Sequence, residues 1–261
     1  MVKSGVAESF SEFFETWVTQ LDELLKQLIN VSKKSDTNGS DVQVDHEHEQ
    51  EARALVSKVT QHYKEYYTKK WALAHVDVLA FYCPVWAAPI EVAFSWLTGW
   101  KPSAMFKIVD YMMKNRVPGR TLGELTQEQT RRIEELRMRI RSQEKKMDGE
   151  MERQQVGLAD RKMVELAKLA SSLKSGCGGD EMRAGRVEGL VDLALRGVLD
   201  GLENVMKGAD CVRLKTLKGV LDVLSPFQSL EFLACGIIVQ LKLRKYGRQQ
   251  IEASTLGPRM L

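Results

Sequence analysis

The sequence predicts an all-α protein, a single multi-helix bundle with long helices. Three observations support this fold class. Apolar residues recur at three- and four-residue steps over most of the 261 residues. Three Ser/Thr-x-x-Glu/Gln patterns are interpreted as helix capping boxes, and proline and glycine are concentrated between the periodic segments. An apolar content of 44% is enough to bury the core of one large domain.

The first helix is predicted to begin at a capping box formed by Ser9 and Glu12 and to run for about six turns. One face of this helix carries an apolar stripe made of Phe13, Phe14, Trp17, Leu21, Leu24, Leu25 and Leu28. The polar segment 32–49 that follows cannot bury enough surface to offset its chain entropy, so we expect a mobile loop there.

A second helix is predicted from Glu49 to Tyr82, and a short third helix from Pro89 to Gly99, because proline fits the first turn of a helix. Four of the five tryptophans lie in the segment 71–103, namely Trp71, Trp86, Trp96 and Trp100. Aromatic surface at this density needs a core, a groove or a partner. We interpret the segment as core packing, with a groove for a small apolar ligand or a partner segment as the alternative.

The second capping box, Thr126 and Gln129, opens a helical stretch that reaches about residue 174. An unbroken helix of that length would measure about 70 Å, which is long for a compact domain of this size. We therefore expect a break within residues 147–158, where Gly149 and Gly157 lie.

The segment 181–224 is helical in pattern but rich in glycine, which predicts close approach between helices. A third capping box, Ser225 and Gln228, starts the last helix. This helix is predicted to end near Gly247, with a frayed tail at 251–261.

Composition argues against several classes of function. A net charge of +3 is too close to neutral for a bulk nucleic-acid or membrane-surface binder. The longest apolar run, residues 232–241, is too short to span a bilayer, and the N-terminus lacks a signal-type apolar segment. We therefore expect a protein of the nucleus, the cytoplasm or both. Cys83, Cys211 and Cys235 are predicted as core thiols, and Cys177 as an exposed one.

No catalytic constellation is visible, since the sequence contains no G-x-S-x-G, P-loop or H-E-x-x-H motif. We expect no enzyme and no catalytic residues. His46 and His48 lie in an acidic segment without fixed geometry, so no metal site is expected. His75 remains open between a structural hydrogen bond and a role as a ligand.

Several segments, in this order along the chain, resemble the Delay of Germination domain, the seed dormancy control family of plants. They are FSEFFETW, LAH at 73–75, PVWAAPIE, SWLTGWKPSAMFKIV at 95–109, LGELTQEQ at 122–129 and GADCVRLKTLKGVLDVLSPFQSLEFL at 208–233. The resemblance covers residues 8–248. The same domain forms the C-terminal half of TGA-type leucine-zipper transcription factors.

We expect six residues of the family motif to be structural, namely Trp96, Gly99, Trp100, Lys101, Pro102 and Ser103. Gly99 would end a helix in the left-handed conformation and Pro102 would start the next one. No basic region or leucine heptad accompanies the domain, so direct binding of DNA is not expected.

The resemblance implies a non-enzymatic plant regulatory protein that acts through protein–protein contacts in seed dormancy, abscisic acid or salt-stress signalling. Alternatives are a developmental scaffold such as a pollen-aperture factor, or a sensor of haem or a small apolar ligand. Within the family, haem binding is attributed to histidines nearer the C-terminus. In this sequence all four histidines precede residue 76, so we expect no cofactor. Type 2C protein phosphatases are the partners that the resemblance implies, and Phe10, Phe14 and Trp17 are the expected contact residues. The arginine-rich helix at 131–146 is interpreted as a solvated face, with binding of calmodulin or an acidic partner as the alternative. A homodimer could cover the remaining apolar surface.

Overall fold

A computed structural model describes residues 5–37, 42–114, 125–175 and 181–255. Within these ranges the chain forms nine α-helices and one short 3-10 helix and contains no β-strand, which confirms the all-α prediction. The helices are α1 (Gly5–Thr37), α2 (Val42–Ala74), α3 (Leu79–Tyr82), α4 (Pro89–Ala93), the 3-10 helix (Pro102–Ala104), α5 (Met105–Lys114), α6 (Gln127–Gly157), α7 (Arg161–Ser175), α8 (Glu181–Leu221) and α9 (Pro226–Thr255). None of the described helices is long and apolar enough to cross a membrane.

Helices α1, α2 and α9 pack on one another and enclose the main core. Phe10 is fully buried at its centre, with its ring within 6.2 Å of the rings of Phe13, Phe14, Tyr66, Phe81 and Trp86. Offset and edge-on ring pairs at such distances add to the free energy gained from burial. The elbow between α3 and α4 is thereby fastened to the core through Trp86, as the packing interpretation of this segment expects.

Two early sequence predictions fail. Ser9 lies inside α1, which is already helical at Gly5, so Ser9 and Glu12 do not form the first capping box. The polar segment 32–49 is helical at both ends, because α1 extends to Thr37 and α2 begins at Val42. Long helices that are anchored elsewhere by packing carry polar residues along with them. Cys177, predicted as an exposed thiol, lies outside the described residues, and so do residues 256–261 of the predicted tail.

Helices α6 and α8 run antiparallel and approach closely. Three glycines of α8 face three side chains of α6: Gly219 faces Leu136, Gly208 faces Met147 and Gly201 faces Gln154. A Cβ atom at Gly219 would lie 2.9 Å from Leu136, and one at Gly208 would lie 2.6 Å from the Met147 sulfur. The close approach that the glycines predicted is therefore present at these three positions, while Gly185, Gly189 and Gly197 face open space.

The expected break in the long helical stretch is confirmed, since α6 ends at Gly157 and α7 begins at Arg161. Helix α7 then packs against the first half of α8. Of the side chains described between residues 158 and 200, none is buried. We call α7 together with residues 181–200 the arm, because none of its described side chains is buried.

Candidate functional site

The family motif forms a tight turn in the loop 95–103, which we call the motif loop. The backbone NH of Trp96 donates to the Gly99 carbonyl at 2.6 Å, and the Gly99 NH donates back at 3.2 Å. Leu97 and Thr98 between them have φ values of 45° and 67°. Positive φ at both central positions is typical of a type I′ turn, which glycine and asparagine prefer. Leucine and threonine are strained there, so the surroundings must hold the turn in place.

The principal holder is Arg213 of α8, whose side chain is fully buried. Its guanidinium donates to three carbonyl oxygens of the motif loop, those of Trp96, Leu97 (2.9 Å) and Trp100 (2.7 Å). It also lies 5.4 Å from the centre of the Trp96 ring, in cation–π geometry. One planar donor group thus fixes the backbone on both sides of the turn.

Gly99 is explained by this contact. A Cβ atom at residue 99 would lie 3.0 Å from the guanidinium carbon of Arg213. The expectation that Gly99 ends a helix in the left-handed conformation is wrong, because α4 already ends at Ala93 and the positive φ values fall on the two preceding residues.

Asp210 balances the charge of Arg213. It lies one helical turn earlier on α8, is fully buried, and accepts from Arg213 at 2.5 Å. The Lys70 ammonium donates to the same carboxylate at 2.9 Å, and the Trp71 indole NH donates at 3.0 Å. Lys70 also donates to the hydroxyl (2.8 Å) and carbonyl (3.3 Å) of Thr98, so α2 holds the turn as well.

Burial lowers the pKa of the Lys70 ammonium from 10.5 to about 8, and the nearby Asp210 carboxylate opposes this shift. The ammonium group is therefore still mainly protonated at neutral pH. Because Lys70, Asp210 and Arg213 are all buried to within 1% of full enclosure, a substrate cannot reach them. The arrangement orients the backbone of the motif loop and is not suited to reaction chemistry.

Helix α6 also binds the motif loop, through two acidic side chains. The Ser103 backbone NH donates to the Glu144 carboxylate at 2.6 Å, and the Trp96 indole NH donates to Asp148 at 2.6 Å. Pro102 starts the 3-10 helix, as predicted. We call Lys70, Glu144, Asp210 and Arg213 together the loop clamp, since these four charged and buried side chains from α2, α6 and α8 all bind the motif loop or one another.

A second buried arginine ties the C-terminal helix to the core. Arg244 of α9 donates to the Trp86 carbonyl at 3.1 Å and to the Glu15 carboxylate at 2.5 Å, and its guanidinium lies 4.7 Å from the Phe14 ring centre. The sequence predicted that this helix ends near Gly247, but α9 continues to Thr255.

The predicted partner-binding residues are not accessible in this structure. Phe10, Phe14 and Trp17 are 0%, 7% and 2% exposed and belong to the core. The apolar face of an amphipathic helix can pack either in the protein core or against a partner, and in this structure these three side chains pack in the core. Direct contact with a partner through these three side chains would require α1 to leave the core.

The remaining candidates lie apart from the loop clamp. The side chain of His75 is 80% exposed, with its Nδ1 3.4 Å from the Glu203 carboxylate. Cys83 and Cys211 are exposed rather than core thiols, whereas Cys235 is half-buried and burial raises its pKa. Within the described residues, no group of three His, Cys, Asp or Glu side chains could hold a metal ion.

Sequence reasoning did not single out the loop clamp, although two signals pointed to it. Asp210 and Arg213 are three residues apart, which places both on one helix face. Lys70 falls in the apolar stripe of α2, where a charged residue needs a buried partner. Neither signal names the partner loop, because that loop lies more than 25 residues away from Lys70 and about 110 from Arg213.

Comparison with known proteins decides the family. The chain is 46% identical over 251 residues to Protein DOG1-like 4 of Arabidopsis thaliana, covering 95% of this chain and 96% of that protein. The chain belongs to the DOG1 family. Residues 20–111 also match the DOG1 family described as seed dormancy control, a range that contains the motif loop.

More distant relatives cover much of the same sequence. Protein RESPONSE TO ABA AND SALT 1 of Arabidopsis thaliana is 26% identical over 259 residues, 97% of this chain and all of that protein. Transcription factor TGA2.3 of Oryza sativa subsp. japonica is 29% identical over 188 residues, which are 72% of this chain and 51% of that factor. The domain of this DOG1-family chain is thus similar to about half of a transcription factor.

Proposed function

We propose that this chain is a non-enzymatic regulator of seed dormancy and of responses to abscisic acid and salt, and that it acts by binding other proteins. The similarity to DOG1-like 4 over nearly the whole of both chains carries the proposal. The similarity to RESPONSE TO ABA AND SALT 1 supports the link to hormone and salt.

The buried ion cluster supports a binding role rather than a catalytic one. Four charged side chains are used to hold one backbone loop, and each is at most 4% exposed. Such a cluster costs desolvation energy and is useful where a unique loop conformation matters. The motif loop presents Lys101 to solvent beside the Trp96 ring, at 5.9 Å, and an indole next to a cation suits recognition of a partner.

Type 2C protein phosphatases are the partners to test first, and the nucleus and cytoplasm are the compartments in which we expect the complex. Calmodulin is a weaker candidate, since the arginine-rich helix α6 already packs one face against α8. Calmodulin usually encloses its target helix, and α6 would have to leave the bundle to allow this.

A genetic test addresses the regulatory role. In plants whose copy of this gene is disrupted, freshly harvested seed should germinate faster, and its inhibition by abscisic acid and by salt should be weaker. Wild-type transgene should restore dormancy, while the loop-clamp variant Arg213→Met should not. Unchanged germination in the disrupted line, with expression confined to anthers, would move the function to pollen development.

A further inference from the structure

A basic groove with an apolar floor runs between α6 and α8. Its volume is about 400 Å³. The floor is formed by Leu136, Ile140, Gly219 and Val223, and the rim by Arg132, Glu135, Arg139, Gln143, Lys215, Lys218 and Asp222. Leu136 packs directly against Gly219, where any side chain larger than hydrogen would collide with it.

The rim carries positive charge that the described residues do not fully neutralise. Four basic and two acidic side chains give a net charge of +2. Both acids are already engaged, Glu135 in an ion pair with Arg131 and Asp222 with Lys218 at 2.5 Å. Arg139 and Lys215, which are exposed and lie on opposite walls, have no acidic partner among the residues that the structure describes.

Gln143 adds a second signal at one end of the groove. Its side-chain oxygen is buried and receives no hydrogen bond from the described residues. An acceptor in this state costs free energy unless a donor reaches it. It lies one turn beyond Arg139 on α6, so a ligand that pairs with Arg139 can present an NH group to it.

We infer that this groove binds an acidic segment of a partner protein, with carboxylate groups on Arg139 and Lys215, an apolar side chain on the floor, and a backbone NH donated to Gln143. Arg132 and Arg139 are seven positions apart along α6, which corresponds to about 10 Å of groove. That length accommodates three residues of extended chain at about 3.3 Å each.

A peptide fits this groove better than nucleic acid does. Tight binding of nucleic acid needs many phosphate contacts along a continuous basic surface, and Glu135 and Asp222 interrupt the basic residues of this rim. An apolar floor is of no use to a phosphate chain. The inference refines the proposed function, since it rests on partner binding and names where a partner is held.

The experiment measures binding of short fluorescein-labelled peptides by fluorescence polarisation with the full chain. The peptides contain glutamate and leucine in permuted orders, and lysine–leucine peptides of the same orders are the control. We expect at least one acidic peptide to bind with a Kd of about 10–100 µM and the lysine peptides not to bind. Binding should weaken between about 50 and 300 mM salt, because the rim charges are exposed.

Two matched double variants locate the site. Arg139→Glu/Lys215→Glu should weaken binding at least about tenfold, whereas Arg141→Glu/Lys145→Glu, which changes the net charge equally on exposed α6 positions outside the groove, should weaken it less than about threefold. Circular dichroism checks that both variants remain helical. Gln143→Met, which removes the acceptor at similar size, should also weaken binding.

Three results would overturn the inference: no acidic peptide binds below about 1 mM, both double variants lose binding equally, or single-stranded DNA competes better than the peptides. If any of these results is found but the disrupted plants show a dormancy defect, the groove is not a binding site and the proposed function stands. If the peptides bind but the disrupted plants show no defect, the groove is a binding site and the proposed function is wrong.

Discussion

The indole of Trp17 and the imidazole of His62 stack with their planes 1° apart and their centres 4.9 Å apart. Each ring also hydrogen-bonds the other residue's backbone: the Trp17 NH donates to the His62 carbonyl and the His62 Nε2 to the Trp17 carbonyl, both at 3.0 Å. Because a carbonyl can only accept, His62 carries its proton on Nε2. These two reciprocal hydrogen bonds join α1 to α2 in the interior of the protein.

The Trp17–His62 pair predicts a pH dependence of stability. Burial lowers the pKa of His62 below 6.5, so between the two pKa values the unfolded chain binds a proton that the folded chain does not. The contribution of His62 to the free energy of unfolding is therefore complete above about pH 6.5. It decreases as the pH falls below that value, by at most about 1.4 kcal/mol per pH unit. Urea unfolding at pH 7.5 and 5.5 measures this, at about 25 °C.

The control for this prediction is His62→Gln, which keeps an NH donor for the Trp17 carbonyl but does not titrate. We expect it to show a smaller loss of stability over the same pH interval. Equal slopes for the wild type and this variant would mean that His62 does not carry the effect.

Removal of Arg213 should be severely destabilising. Arg213→Met deletes the donors to three loop carbonyls and leaves Asp210 buried with Lys70 and Trp71 alone. Breaking one partner out of a buried ion cluster costs about 3–5 kcal/mol. Urea unfolding checks the value, and hydrogen exchange should show the amides of residues 96–103 opening first. Arg131→Met is the matched control, since Arg131 is 59% exposed and should change stability by less than about 1 kcal/mol.

The strained turn predicts a stabilising substitution. Asparagine adopts positive φ more readily than leucine, so Leu97→Asn should raise the free energy of unfolding by about 0.5–1 kcal/mol. Thr98→Gly relieves similar strain but removes the hydroxyl that accepts from Lys70 at 2.8 Å, so its net effect should be neutral or destabilising. A larger gain from Thr98→Gly than from Leu97→Asn would show that strain outweighs the hydrogen bond.

Glycine substitutions in α8 should separate the close interface from the arm. Gly197→Ala meets open space and should raise helix stability by about 1 kcal/mol. Gly219→Ala puts a methyl group 2.9 Å from Leu136 and should cost about 1–3 kcal/mol through overpacking. Thermal unfolding followed by circular dichroism compares the two; equal shifts in Tm would contradict the proposed role of Gly219.

Local patterns predicted some contacts of this fold and missed the contacts between elements. The capping boxes at Thr126 and Ser225 are confirmed, because each depends on residues three apart. Yet Gln129 also donates to Gln228 and to the Val223 carbonyl, each at 2.9 Å, so the two boxes are linked across 99 residues. No local spacing contains that link, since it arises only when α6 and α9 meet.

The apolar stripe of α1 also shows what periodicity can and cannot predict. Periodicity located the stripe correctly, and most of its members are buried. Periodicity gives the direction of a helix face but not what covers it. Phe10, Phe14 and Trp17 therefore remain predicted partner contacts, but α2, α3 and α9 cover them in this structure.

Helix α8 continues without a break from Glu181 to Leu221, about 60 Å by its 41 residues. Its first half lies in the arm, whereas its second half carries Asp210 and Arg213. An unbroken helix is stiff along its axis, so we expect a displacement of the arm to be transmitted to Arg213 and, through its hydrogen bonds, to the strained Leu97–Thr98 turn.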